Sequence, residues 1–434
     1  MKFLHRSFTG FIFYLTSMII VYGIDFSMIG YATVPGTDNE TTTGGTGGDT
    51  VHIYTLSELQ IWGSSREKNT DPEIAVIHGK IYTTSTTVIS IKHGENITIL
   101  GKDNADLQNV GLDIWDYKNV IVRNLTIHEV LYPDDAITIN ECYHVWIDHC
   151  ELYSKIGENI TVDTYDGMLD IKEGSRYVTV SWCYIHHHMK TMLIGHTDNL
   201  NQLAVDTAMR ITIHHNYFSH TDGRNPSLRF GAVHLFNNYF DTIYDYGIAV
   251  RQGGHALIEN NHYNSVNIPI TTNKFSGTEG FVCESGTIYS GSCSASDNSI
   301  TQTDCNFWNN LPYSYMLDST KNVKNIVLEN TGVMKNNEPM NIAQNSIISF
   351  TVGKVYPNPI RDKASLLIDL KEGGIITLEI FDIQGRFLRN SVIGYYNPGL
   401  HELSILRNDL KPGIYILKIK FNNSFCNKTI IFSE

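Results

Sequence analysis

Short β-branched runs recur through the middle of the chain, and most of them end in Asn, Asp or Gly. They read A-V-I-H-G-K-I (75–81), N-I-T-I-L-G (96–101), N-V-I-V-R-N-L-T-I (119–127) and H-V-W-I-D-H-C-E-L (144–152). They continue as Y-V-T-V-S-W-C-Y-I (177–185), R-I-T-I-H-H-N-Y-F (210–218), A-V-H-L-F-N-N-Y-F (232–240) and A-L-I-E-N-N-H-Y (256–263). The starts at 119, 144, 177, 210, 232 and 256 lie 25, 33, 33, 22 and 24 residues apart. Such a period, with almost no helix between the strands and Asn at a recurring corner, predicts an all-β parallel solenoid. Each coil stacks on the last and buries an apolar column. An antiparallel sandwich would instead show Asn-Gly or Asp-Gly hairpin turns at shorter spacing. Insertions in a solenoid collect on one face, and the two widest intervals contain or adjoin most of the notable charged residues. A functional site is expected there.

Those charges run from Asp166 to Arg229. D-G-M-L-D-I-K (166–172) opens the stretch, S-W-C-Y-I-H-H-H-M-K (181–190) crosses it, and R-N-P-S-L-R (224–229) closes it. The chain as a whole carries a net charge of -13. Nucleic acid is therefore not an expected partner, because phosphate binding needs a basic footprint. An acidic ligand would have to be held by positive charge gathered locally or by a bound cation.

The two ends differ from the middle. M-K-F-L-H-R followed by the apolar run 11–21 and Tyr22-Gly23 is expected to be a signal peptide over residues 1–23. Residues 24–50 form a Gly/Thr-rich segment, and T-L-S-E-L-Q-I-W-G-S (55–64) carries a helix cap and an apolar stripe. The repeat fades after residue 330, and T-V-G-K-V-Y-P-N-P (351–359) marks a boundary. Beyond it, 376–386, 401–405, 411–420 and 428–432 alternate as a small antiparallel β-sandwich does. The expected division is 51–345 for the solenoid and 350–434 for the sandwich. Export permits disulfides. Of seven cysteines, Cys283 and Cys293 flank a Gly/Ser-rich loop and are expected to bridge, while Cys142, Cys150 and Cys183 are expected as buried free thiols.

The motifs V-W-I-D-H-C (145–150), D-G-M-L-D-I-K-E-G-S-R-Y-V-T-V-S-W (166–182) and H-M-K-T-M-L-I-G-H-T-D (188–198) stand in order with R-N-P-S-L-R-F-G (224–231) and V-H-L-F-N-N-Y-F (233–240). Together they resemble the pectate lyase superfamily, specifically polysaccharide lyase family one, over about 300 residues of the chain. The tail, with Y-P-N-P, F-D-I-Q-G-R and L-K-P-G-I-Y-I-L-K-I, resembles the C-terminal sorting domain of the type IX secretion route. The first resemblance implies a right-handed parallel β-helix and a calcium-dependent pectate lyase. Such an enzyme cleaves polygalacturonate by β-elimination and leaves unsaturated oligogalacturonides. The second implies engagement with secretion machinery and a secreted or cell-surface protein, expected as a monomer. Pectin lyase action on methyl-esterified substrate and a noncatalytic polysaccharide-binding solenoid are the alternatives.

Position by position, the resemblance implies calcium ligands at Asp135, Asp166 and Asp170, a proton-abstracting base at Arg224, and substrate-carboxylate contacts at Lys190 and Arg229. Lys172 shares the strand parity of Asp170 and is expected to line the same groove. The chemistry suits these types. A hard divalent ion takes carboxylate oxygens, guanidinium and ammonium groups hold carboxylates, and charge on the uronate must be offset before its C5 proton can leave. Arginine as a base is awkward, since its ordinary pKa exceeds about 12. In an extended strand, residues four apart lie about 13 Å from each other, so the chain must bend at Gly167 for Asp166 and Asp170 to share an ion. Pro133 stands where some members carry a further carboxylate, so one ligand is expected to be missing or supplied by Asp134 or water. His186, His187 and His188 alternate faces and are expected to stack or hydrogen-bond. Asp148 and His149 are expected to be buried and structural, and the asparagines at 216, 237, 238, 260 and 261 to form a corner ladder.

Overall fold

The apolar columns inferred from the repeat are physical stacks. In the computed structural model, which describes residues 26–36, 41–275, 277–334, 350–370, 373–382, 387–421 and 424–433, parallel strands pair coil upon coil. The first sheet contains Lys118–Arg123, Tyr143–Asp148, Arg176–Ser181, Arg210–His214, Ala232–Phe236, His255–Glu259 and Phe281–Ser285. Its register puts Val120, Val145, Val178, Ile211, Val233, Ala256 and Val282 in one inward column, all at most 1% exposed. Burying one such side chain is worth about 1.5–3 kcal/mol, and the column repeats on every coil. A second sheet holds Thr126–His128, Glu151–Tyr153, Tyr184–Lys190 and Tyr217–Gly223, and a third holds Ile137–Asn140, Leu169–Lys172, Leu193–Ile194 and Ser227–Arg229.

Each run in the sequence therefore covers a first-sheet strand, a corner and the start of a second-sheet strand. The corner has a fixed chemistry. Asn124, His149, Trp182, His215, Asn237 and Asn260 all take left-handed backbone with φ between 47° and 60°, a conformation that Asn tolerates best. The next residue on the later coils is an inward Asn. Asn216, Asn238 and Asn261 donate to Val180 O, Ile213 O and Leu235 O at 2.9–3.0 Å. Each accepts from a backbone N–H on the preceding coil, those of Cys183, Asn216 and Asn238. Cys150 and Cys183 hold the same corner on the earlier coils, with thiols directed at Val122 O and Ile147 O. The ladder thus comprises 216, 238 and 261, while Asn237 and Asn260 make the turn.

The expected helix is present as Leu56–Ser65. Thr55 caps it, accepting from Glu58 N, and its face carrying Leu59 and Trp62 is buried. Cys142, Cys150 and Cys183 are buried free thiols, as expected. The disulfide differs from expectation, because Cys283 bonds Cys305 rather than Cys293. Cys293 packs inside the solenoid with its thiol 3.2 Å from Ser290 O, whereas Cys283 packs beside Leu257 and Trp308 in a separate outer cluster. Nearness in sequence lost to side-chain direction.

The tail forms two antiparallel sheets. One pairs Phe350–Tyr356, Lys363–Leu370 and Gly399–Leu406; the other pairs Phe387–Tyr396, Gly374–Asp382, Gly413–Phe421 and Ser424–Phe432. They enclose their own core, which includes Leu366, Ile368, Leu417, Ile419 and Phe421. The segment expected to be a signal peptide (1–23) lies outside the described residues, as do residues 345–349 at the expected domain boundary.

Candidate active site

The third sheet and the loops entering it carry the charged groups. Thr138 pairs in register with Asp170, Ile194 with both Ile171 and Leu228, and Lys190 at the end of the second sheet with Gly223. Neighbouring coils thus present Asp135, Asp166 to Lys172, Lys190, and Arg224 to Arg229 on one side of the solenoid.

Asp135 and Asp170 are 8% and 4% exposed. Asp135 Oδ1 accepts from Gly167 N at 2.7 Å, and its Oδ2 accepts from Thr138 Oγ1 at 2.7 Å and Lys172 Nζ at 2.8 Å. Asp170 Oδ1 accepts from Leu193 N at 3.1 Å, with its Oδ2 3.3 Å from the same Lys172 ammonium. Burial, then the neighbouring Asp135, pushes the Asp170 carboxyl up to about 7, while Lys172 opposes the shift. Burial works against the Lys172 ammonium, but Asp170 and Asp135 outweigh it and hold the group up at about 12. Gly167 is more than a bend. A Cβ there would lie 2.5 Å from Asp170 Oδ1 and 2.7 Å from Asp135 Oδ1, so only a hydrogen fits between the two carboxylates and the loop.

Asp166 faces elsewhere. Its Oδ1 accepts from Lys190 Nζ at 2.7 Å, and its carbonyl accepts from His188 Nε2 at 2.7 Å. Burial pushes the His188 imidazole down to about 4, so it stays neutral at pH 7 and Nδ1 is left to face Ser154 Oγ. Tyr132 lies over Lys190, its ring centroid 5.8 Å from Nζ. Asp134 beside them is raised by burial and then by Asp135, Asp113 and Asp166, a mark of how acidic this end is.

The arginines are arranged unequally. Arg229 Nη1 donates to Gly195 O at 2.9 Å, and its Nε pairs with Asp198. Arg224, half-buried and at φ 62°, has no hydrogen-bond or ion-pair partner for its guanidinium among the described residues. Arg251 sits in register with Arg229 one coil on, donating to Ser227 Oγ at 2.6 Å and Phe275 O at 2.8 Å. Burial, then Arg229, lowers its hold on the proton.

The seven expected residues thus fall on one face, with Asp135, Asp170 and Lys172 in one cluster and Asp166 with Lys190 in another. Among the described residues no group of three or more His, Cys, Asp or Glu is arranged to hold a metal. Asp135 and Asp170 nevertheless fit a hard cation, as adjacent buried carboxylates that keep one oxygen each on a shared ammonium. Asp166 would have to leave Lys190 to join them. Sequence reasoning missed Thr138, Asp198, Tyr132 and Arg251. Asp198 lay within a quoted motif, but its partner Arg229 is 31 residues away in sequence. The histidines behave as expected: His186 stacks on Tyr153 and Tyr184, and His187 on His220. Asp148, fully buried, pairs with Arg123 and His149 and accepts from Ser181 Oγ.

Residues 12–336 match the profile of a family described as pectate lyase, and residues 354–433 match a secretion system C-terminal sorting domain. A pectate trisaccharide-lyase of Bacillus licheniformis is 39% identical over 318 residues, covering 72% of this chain and 88% of that protein. A probable pectate lyase A of Aspergillus flavus is 36% identical over 266 residues, covering 60% of this chain and 77% of its own. Among solved structures, a pectate lyase from Bacillus sp. N165 in complex with trigalacturonate superposes with a TM-score of 0.62 at 32% identity, covering 71% of this chain and 99% of that one.

Proposed function

The chain belongs to the pectate lyase family and is an enzyme of that class, and on that premise we propose that it is a secreted, calcium-dependent pectate lyase. It cuts α-1,4-polygalacturonate by β-elimination and releases unsaturated oligogalacturonides. The observation that carries this reading is the convergence of Lys172, Lys190, Arg224 and Arg229 with three carboxylates on one face of a chain whose net charge is -13. On so acidic a chain, an anionic polymer needs positive charge gathered locally or a bound cation to hold it.

Lys190, Lys172 and Arg229 hold uronate carboxylates. The ammoniums do so as mobile point charges, and the guanidinium as a planar fork already oriented by Gly195 O and Asp198. Arg224 takes the C5 proton. Its guanidinium has no hydrogen-bond or ion-pair partner among the described residues, so no side-chain contact holds it away from the substrate. As the C5–H bond breaks, its electrons form the C4–C5 double bond and the C4–O4 bond cleaves, O4 leaving with the pair and gaining a proton from solvent. A calcium ion held by Asp135, Asp166 and Asp170 would neutralise the uronate carboxylate and so acidify the C5 proton. Export is supported by the sorting domain, through which the chain engages its secretion machinery.

The test is ultraviolet absorbance of the conjugated product, with polygalacturonate, with and without calcium. Wild type should give signal that chelation abolishes, and Arg224→Ala should lose at least about 10²-fold in kcat while keeping the wild-type melting temperature. No product from wild type on polygalacturonate or methyl-esterified pectin would sink the proposal. Full activity in Arg224→Ala would move the base elsewhere.

A further inference from the structure

Two lysines occupy the oxygens that a divalent cation would need. On each buried carboxylate one oxygen is tied to a backbone N–H, Asp135 Oδ1 to Gly167 and Asp170 Oδ1 to Leu193. The other oxygen of each, Oδ2, faces the single ammonium of Lys172 at 2.8 and 3.3 Å. The third carboxylate, more exposed, is ion-paired too: Asp166 Oδ1 lies 2.7 Å from Lys190 Nζ, which also lies 3.8 Å from Asp163. Adjacent buried carboxylates cannot both remain ionised without a positive charge among them, and here the chain supplies it.

Resting on the calcium-dependent reading above, we propose that Lys172 and Lys190 are resident counter-cations. They hold the three carboxylates in place when no ion is bound, and they are released into the groove when one enters. Ammonium and ion compete for the same oxygens, so the site binds calcium more weakly than its carboxylates alone would. Lys172 lies at the end of the strand Leu169–Lys172 with its side chain 23% exposed, on a flexible four-carbon stem free to swing outward. Once out, both ammoniums face solvent along the groove, where a polyuronate offers replacement carboxylates. Ion and substrate then favour each other's binding, because each takes up one half of an ion pair that the other opens, and such coupling is reciprocal.

Calorimetric titration of calcium into the full chain, wild type against Lys172→Met, tests this. Removing the competing ammonium should tighten calcium binding by about tenfold or more, while the ion-free variant melts below wild type because two buried acids have lost their counter-charge. Calcium affinity equal to or weaker than wild type in a folded variant overturns the proposal. Should that variant not fold, labelling of wild type with an amine-selective reagent, read by peptide mass spectrometry, decides it. Calcium should increase labelling of Lys172 and Lys190, and unchanged labelling overturns the idea. A wild type that takes up no calcium and makes no product fails the underlying reading and this one with it. A wild type that binds and cleaves, without either lysine effect, fails this one alone.

Discussion

Gly167 shows how one missing carbon builds a site. Its N–H holds Asp135, and its hydrogen occupies the space where a side chain would meet both buried carboxylates. Contacts of 2.5–2.7 Å cannot be relieved by a flexible neighbour, because both oxygens are already anchored by backbone N–H groups. Gly167→Ala should therefore weaken calcium binding by about tenfold or more, from an overpacking strain of about 1–3 kcal/mol, with the fold retained. Calorimetry reads the affinity and circular dichroism the fold. Undiminished affinity would mean that Asp135 and Asp170 do not hold the ion from this side. Arg224 and Arg229 illustrate the other residue-scale lesson. Two arginines five residues apart in one motif end in opposite states, one without a partner among the described residues and one fixed by Asp198 and Gly195.

At the scale of the element, the corner ladder keeps the coils in register. Asn238 accepts from both the backbone and side chain of Asn216, and donates to Ile213 O and Asn261 Oδ1, all out of solvent. Asn238→Ala would strand donors and acceptors on three coils, each unsatisfied buried group costing about 1–3 kcal/mol. Urea unfolding should show a loss of at least about 2 kcal/mol. A loss below that would mean the ladder is redundant with the backbone pairing around it. The strands of the second sheet bear on function through the same register. A slip of one coil would separate Lys190 from Arg224, whose elements meet through Lys190 and Gly223.

For the whole molecule, the solenoid and the tail have separate apolar cores. A chain ending at residue 334 is predicted to keep the specific activity and melting temperature of the full chain on polygalacturonate. In cells it is predicted to stay inside, which fractionation would detect. Acid should destabilise the solenoid. His214 is 1% exposed, stacks on Phe236, and faces His215, itself paired with Asp318. Burial, then His215 and His234, holds its pKa well below the ordinary value near 6.5. The unfolded chain takes up a proton below that pH and the folded chain does not, so stability is present above pH 6.5 and falls as pH drops beneath it. The limiting slope is about 1.4 kcal/mol per pH unit for this one group. Thermal melts from pH 7 to 5 should fall less steeply in His214→Phe, and identical profiles would assign the acid sensitivity to other groups.

What the amino-acid order determined alone was periodicity. Apolar columns need a side chain at a fixed place in every coil, so the runs from 119 to 263 and the alternating tail were legible before any coordinates, and the resemblance named seven residues that the fold brings to one side of the solenoid. Direction and pairing were decided only in three dimensions. Cys283 chose Cys305 over Cys293 because the Cys283 side chain points out of the solenoid, beside Leu257 and Trp308, while that of Cys293 points in. Lys172 and Lys190 turned onto Asp135, Asp170 and Asp166 because stacked coils bring opposite charges within 3.3 Å. Arg251 joined the site through register with Arg229, Tyr132 by lying over Lys190, and Thr138 by its bond to Asp135. Contacts between coils link residues 20 to 40 positions apart, and no local pattern in the sequence records which side chain will answer which.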